Sequence, residues 1–264
     1  MESKSTALSI AGSDCSAGAG IQADLKTFSA LGVYGETVIT SVVAENTSRV
    51  LWVFDLPEEI IKSQIQAVFE DITVGAVKIG MLKKTGIMKA VFETLKEYGA
   101  KNIVFDPVMS AKGGEVLMEQ DACNYLREAV IPLCRVITPN IPEAQVLLNR
   151  KIETVEDMKN AAFDICRMGA ECCLLKGGHL KGKATDILFD GESFAEFSSE
   201  RINTKNTHGT GCTLSSAITA YIVKGESVKS AVEKAKKYIS GAIENSLEIG
   251  RGNGPLNHFF NAKY

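Results

Sequence analysis

The chain has 264 residues, 45% of them hydrophobic and 23% charged, with a formal net charge of -3. That mixture describes an ordinary globular chain with enough apolar side chains for one well-filled core. Slight acidity leaves no basic footprint for nucleic acid, and no apolar run approaches the ~20 residues of a membrane span. The opening MESKSTALSI lacks a signal-peptide h-region and cleavage site. Seven cysteines, an odd number that includes the adjacent Cys172 and Cys173, do not make a disulfide framework. None has C-x-x-C spacing, and with three histidines a zinc site has few candidates. A cytoplasmic address is the expectation.

In chain order, ALSIA predicts a strand and GIQADLKTFSALG a helix with Ile21, Leu25, Phe28 and Leu31 on one face. TVITSVVAEN and RVLWVFDL predict strands, EEIIKSQIQAVFEDI a helix, AVKIGM a strand and TGIMKAVFETLKEYG a helix. NIVFDPVM is again a strand, followed by the helix DACNYLREAVIPLC and the strand RVITPN. VEDMKNAAFDICRMG leads as a helix into the strand CCLLKGG. TDILFDG and SFAEFSSERI pair as a hairpin around Gly191. Two long helices close the chain, Gly209 to Val223 and Val228 to about Leu247.

Such alternation makes parallel βαβ units with helices on both faces of one sheet. No Pro/Ser-rich linker, charge block or internal repeat divides residues 1–264, so one α/β domain is expected. Ligands of such sheets sit beyond the carboxyl ends of the strands. Those ends read GSD, AEN, IGM, DPV, TPN and KGG, which places the expected site on that edge.

Four stretches carry candidate chemistry. NTHGTGCTLSSA puts Thr207, Gly209, Thr210, Gly211 and Cys212 at a helix start, where free backbone N–H groups bind anions. TPNIPE presents Asn140 and Glu143, an amide and a carboxylate suited to a Mg²⁺ that keeps most of its waters. KGGH sets Lys176 at a strand end as a point charge for phosphate oxygens. GSDCSAGAG, which opens with Gly12, ends in G-A-G-I-Q-A and formally matches a dinucleotide fingerprint, with Glu45 as its acid. Asp24 in Q-A-D and Asp106 in F-D-P-V, with Val108 beside it, complete the edge.

Each has a plainer alternative. The glycines also suit a tight turn or a helix entry over packed core, and Glu143 suits a solvated first-turn residue facing the helix dipole. His179 is as readily structural as chemical. Together, with no G-x-x-x-x-G-K-[ST] present, the four describe phosphoryl transfer without a P-loop. A nicotinamide-dependent oxidoreductase and a non-catalytic sensor on a kinase scaffold are the rivals from other classes.

IAGSDCSAGAGIQADLKTFSALGVYG, KIGML, DPVM…AKGG, ITPNIPEA, LLKGGHL and TKNTHGTGCTLSSA closely resemble the hydroxymethylpyrimidine/phosphomethylpyrimidine kinases. These belong to the ribokinase-like superfamily, and the resemblance runs from about Ala7 to the closing GNGPLNHFF. It implies a three-layer αβα sandwich with a mostly parallel central sheet; a homodimer is the expected assembly. It also implies two successive ATP-dependent, Mg²⁺-assisted phosphorylations of 4-amino-5-hydroxymethyl-2-methylpyrimidine, a small-molecule substrate.

By the same resemblance, Gly209 to Cys212 are the anion hole and catalytic residue, and Asn140 and Glu143 a magnesium motif joined by Asp106. Lys176, Asn140 and Thr207 lie on the nucleotide side. Asp24, Glu45, Gly12, Met81 and Val108 line the pyrimidine pocket. Three departures stand out: Cys15 and Ala17 replace a proline and a glycine, Glu45 replaces a ring-binding glutamine, and the flap reads MSAKGG. Pyridoxal kinases share the HGxGC ending and are the alternative. They often carry a flap cysteine where this chain has Ala111.

Sugar kinases of the superfamily carry an aspartate where Cys212 stands. A thiol can stay neutral beside an incoming phosphate acceptor, and a helix N-terminus is expected to lower its pKa from ~8.5. Glu45 offers acceptors only, so it matches a protonated amino-pyrimidinium through a two-point, charge-assisted pair.

Overall fold

The β-branched runs assemble into a nine-stranded sheet in the order β3-β2-β1-β4-β5-β6-β7-β8-β9. The structure is a computed structural model and describes residues 5–109, 120–178 and 184–262. The strands are β1 Thr6–Asp14, β2 Tyr34–Glu45, β3 Val50–Asp55, β4 Ala76–Ile79, β5 Ile103–Phe105, β6 Val136–Ile137, β7 Cys172–Leu175, β8 Ala184–Phe189 and β9 Phe194–Ser199. From β2 to β7 neighbouring strands run parallel. The hairpin partners β3, β8 and β9 add antiparallel edges.

The helices are α1 Gly20–Ala30, α2 Glu58–Asp71, α3 Thr85–Glu97, α4 Gln120–Tyr125, α5 Ile141–Leu148, α6 Val155–Arg167, α7 Thr210–Val223 and α8 Val228–Glu244. Alternate residues of each strand feed opposite faces, as the period of two requires. Ile103 and Phe105 of β5, with Cys173 and Leu175 of β7, pack under α2 to α6. Val104, Cys172 and Leu174 pack against α7 and α8. Ala7, Phe28 and Val33 seat α1 on the same side through Ala220 of α7. The layers are therefore α, β and α, as expected. Among the described residues, no helix is long and apolar enough to cross a membrane.

Proline chemistry explains two departures from the predicted elements. DACNYLREAVIPLC is α-helical only to Tyr125 and then passes through a π-helical turn and a 3₁₀ turn, with Pro132 in the latter. NIVFDPVM pairs for three residues only, because Pro107 has no N–H for the ladder. The hairpin around Gly191 forms with that glycine at φ +93°, a left-handed turn conformation. The cysteines are all free, and burial pushes the Cys134 and Cys173 thiols up.

Candidate active site

The parallel strands end on one edge, and the polar residues there surround a cleft of about 740 Å³. The start of α7 forms its floor. Gly209 sits there at φ +82°, and a Cβ on it would lie 1.8 Å from the Gly18 oxygen, so no other residue fits. Asn140, Thr154 and Ser227 cap α5, α6 and α8 with their side chains, whereas no side chain caps α7. The Thr210 N–H turns back to the Thr207 carbonyl at 3.3 Å, while Gly209, Gly211 and Cys212 line the cleft at the helix start, where backbone N–H groups receive an anion.

The loop after β1 is spent differently. Asp14 Oδ1 accepts from the Ser16 N–H and hydroxyl, both at 2.7 Å. Its Oδ2 accepts from the N–H groups of Gly18 (3.0 Å) and Ala19 (2.8 Å) and from His208 Nε2 (2.8 Å). Burial opposes ionisation of Asp14, but the bonds from His208, Ser16 and Ala19 outweigh it and hold its pKa well below the carboxylate range. The donors of the G-A-G-I-Q-A turn are thus occupied by a side chain, which removes the dinucleotide reading. Gly18 is required because a Cβ would lie 2.3 Å from the His208 ring. Glu45 approaches this pair: carboxylate and ring atoms of Asp14, Glu45 and His208 lie within 4.8 Å of one another.

Lys176 and Asp106 form the opposite wall. Lys176 Nζ is 2.6 Å from Asp106 Oδ1, which also accepts from Thr138 Oγ1 at 3.1 Å. A Cβ on Gly211 would lie 3.2 Å from Asp106 Oδ2 and 3.7 Å from Lys176 Nζ, so this pair borders the α7 floor. Asn140 and Glu143 are bound to each other in a capping box: the Glu143 N–H donates to Asn140 Oδ1 at 2.9 Å, and the Asn140 N–H to Glu143 Oε2 at 2.7 Å. Glu143 is buried rather than a solvated first-turn residue. Burial pushes its carboxyl up, Lys176 pulls it back and Asp106 pushes it further. Two buried carboxyl groups, Asp106 and Glu143, thus act on one lysine.

Cys212 is half-buried at the cleft floor. Its thiol pKa is raised, against the expectation from the helix N-terminus. Burial is the main cause, Lys78 opposes it, and Asp24 and Asp106 add to it.

Gly12, Met81 and Val108 line the cleft together with Glu45, and Thr207 and Thr210 lie beside the α7 start. Every expected site residue reaches the cleft except Asp24. That carboxylate is fully buried in α1, where it accepts from Ser9 Oγ (2.6 Å), Lys78 Nζ (2.7 Å) and Ser216 Oγ (2.6 Å). It lies behind the cleft wall because three donors from β1, β4 and α7 converge on it. Ala111 and His179 fall outside the described residues.

Sequence reasoning missed Lys78, although a lone charge inside the apolar run AVKIG was a visible signal. It also passed over Arg49 and Lys83 at the cleft mouth. Nothing in a local pattern shows that the hairpin tip at residues 46–49 is tied to the C-terminal loop. Thr47 makes that tie, its carbonyl accepting from the Asn253 N–H at 2.9 Å and its hydroxyl from the Gly252 N–H at 3.1 Å.

Comparison with known proteins gives this edge a lineage. The phosphomethylpyrimidine kinase family model matches residues 14–257. The chain is 50% identical to the hydroxymethylpyrimidine/phosphomethylpyrimidine kinase of Rhizobium meliloti over 257 residues, covering 96% of each. It is 46% identical to the thiamine biosynthesis bifunctional protein of Geobacter sulfurreducens, with 98% of this chain matched but only 53% of that longer protein spanned. The ADP complex of Bacillus subtilis pyridoxal kinase superposes with a TM-score of 0.91 at 43% identity, covering 97% of this chain and 98% of that one. The sandwich is ribokinase-like, and the family match takes in the loop after β1, the capping box and the α7 start. On that continuity, the chain belongs to the phosphomethylpyrimidine kinase family.

Proposed function

We propose that this chain transfers phosphoryl groups from ATP to 4-amino-5-hydroxymethyl-2-methylpyrimidine and then to the resulting monophosphate, a reaction pair of thiamine biosynthesis. The observation that carries the reading is Cys212 at the uncapped start of α7, facing the Lys176–Asp106 pair across one cleft. An anion floor, a cation and a proton acceptor converge there, in the cleft that Gly12, Met81 and Val108 also line.

In this reading the N–H groups of Gly209, Gly211 and Cys212, with Thr210 between them, hold the transferring phosphoryl group. Lys176, Asn140 and Thr207 hold the nucleotide. The reaction is mostly positioning and charge stabilisation. In the first step the hydroxymethyl oxygen bonds to the γ-phosphorus, its proton passes to Cys212 Sγ, and ADP leaves. In the second step the acceptor is already an oxyanion and needs no base. Asp106 and Glu143, with the Asn140 side chain, would hold Mg²⁺. Their oxygens are hard donors, and the Asp106 carboxylate opposes ionisation of Glu143, a repulsion that a bound cation would relieve, so the group fits. When bound, the ion neutralises phosphate charge.

Glu45 is the ring's partner, and a pyridoxal ring meets only half of its fork. Pyridoxal kinase is the second reading, favoured by the close superposition on the Bacillus subtilis enzyme. ADP release measured with each ring at equal concentration separates the two. Preference for the pyrimidine is expected, and preference for pyridoxal rejects the first reading.

A homodimer is part of the proposal. Edge strand β3 exposes Val50, Leu51, Trp52 and Phe54, an apolar strip of the kind covered by a second subunit. A cytoplasmic location rests on the seven free cysteines.

A further inference from the structure

The ladder between β7 and β8 ends at the pair Leu175–Ile187, and the next residue of β7 is the cleft lysine, Lys176. The two amides that flank the Lys176 α-carbon are then held from opposite sides. Its own N–H donates to the Pro139 carbonyl at 2.8 Å, on the side of β6. The Gly177 N–H donates to Asp186 Oδ1 at 2.9 Å, on the side of β8. With the ladder finished, a side chain takes that N–H. The segment lies close against β8, because a Cβ on Gly177 would be 1.9 Å from the Thr185 oxygen.

Asp186 reaches Gly177 from the sheet face that carries α7 and α8. Leu188, two residues further along β8 and so on the same face, packs against those helices. Lys236 of α8 completes the arrangement, its Nζ 2.8 Å from Asp186 Oδ2. Asp186 is 4% exposed. An uncharged acceptor would serve a single structural bond without the cost of desolvating a carboxylate. A carboxylate held at one oxygen by an ammonium keeps its other oxygen aimed at one N–H. That N–H borders the lysine assigned to the nucleotide.

We propose that Asp186 is a positioning residue for Lys176: by accepting from the Gly177 N–H it fixes the backbone from which the Lys176 ammonium meets the nucleotide phosphates, and Lys236 keeps it oriented. No proton moves through Asp186. Holding the planar amides on both sides of one α-carbon sets its two soft dihedrals. Lys176 therefore starts from a defined place, with Nζ already 2.6 Å from Asp106 Oδ1. Without the Gly177 bond, the nucleotide itself must order this segment, and that cost comes out of nucleotide affinity. The expected ring partners Gly12, Glu45 and Met81 come from β1, β2 and the residues after β4, on the other side of the strand order. Ring affinity is accordingly independent of the clamp.

This inference rests on the reading of Lys176 as a nucleotide contact, and its test is read by binding rather than turnover. Calorimetry on the full chain, with ADP and Mg²⁺ and separately with hydroxymethylpyrimidine, measures the two sides of the cleft. The informative pair is Asp186→Asn/Lys236→Met against Asp186→Ala/Lys236→Met. Both remove both charges, so neither leaves an unpaired ion, and they differ in whether an oxygen still faces Gly177. ADP affinity should stay within about threefold of wild type in the asparagine variant and fall about tenfold below it in the alanine variant. Pyrimidine affinity should match wild type in both. A merely structural bond would lower the melting temperature of the alanine variant and leave ADP affinity equal in the two. Equal ADP affinities, or pyrimidine affinity falling together with that for ADP, overturn the proposal. Should the alanine variant not fold, a loss of about tenfold in the asparagine variant overturns it as well. Wild type that binds ADP but does not phosphorylate the pyrimidine refutes the kinase reading and leaves this comparison standing. Wild type that binds no ADP overturns both.

Discussion

Lys176 Nζ sits 2.6 Å from Asp106 Oδ1 across a sequence separation of 70 residues, joining the ends of two strands that are not neighbours in the sheet. Burial weakens the charge on Lys176, but Asp106 and Glu143 more than restore it, so the cleft presents a firmly protonated cation. ATP phosphates and Asp106 compete for it. Lys176→Met should raise the KM for ATP at least ~10-fold, with pyrimidine affinity measured by calorimetry nearly unchanged. Equal losses on both sides would place Lys176 in the ring pocket instead.

Cys212→Ala should leave the fold intact and slow the first phosphorylation more than the second. Only the alcohol acceptor needs its proton removed, a role typically worth ~10²–10⁴-fold. Single-turnover rates with each acceptor check this, and equal losses contradict it.

Glu36 tests the fold's response to pH. It lies on β2, 7% exposed, and neither carboxylate oxygen has a hydrogen-bond partner among the described residues. Burial pushes its carboxyl up to about 7. The folded state therefore holds a proton that the unfolded chain releases near pH 4.5, so stability falls as pH rises from there to about 7. Glu36→Gln removes that dependence. At pH 8 it should be more stable than wild type by about 2 kcal/mol, with the difference vanishing near pH 4. Parallel melting curves at both pH values would contradict it.

The β3 strip gives a prediction about assembly. Trp52 is 71% exposed, and Trp52→Glu places a charge in the centre of the apolar edge. Light scattering should show a dimer for wild type and a monomer for the variant. A wild-type monomer, or a variant that remains dimeric, contradicts the β3 interface.

Much of this was legible in the chain. Hydrophobic period gave the order of strands and helices, and the shared polar strand ends located the cleft. What escaped depends on partners far apart in sequence. Asp24 looked like a pocket residue because it follows the glycine loop, and only the convergence of Ser9, Lys78 and Ser216 takes it out. The Asn140–Glu143 spacing is a capping box as well as a metal motif, and the pattern does not distinguish them. The Cys212 thiol followed burial and neighbouring carboxylates rather than the helix end alone. Burial is a property of the packed layers, which no local window contains.

The central claim is that one cleft phosphorylates first an alcohol and then a phosphate on the same pyrimidine ring. Its direct test is the time course of products from hydroxymethylpyrimidine with excess ATP and Mg²⁺, resolved by mass spectrometry. The monophosphate should rise and then fall as the pyrophosphate accumulates, with two ADP released per ring. A reaction that stops at the monophosphate, or that runs only with pyridoxal, would contradict the account.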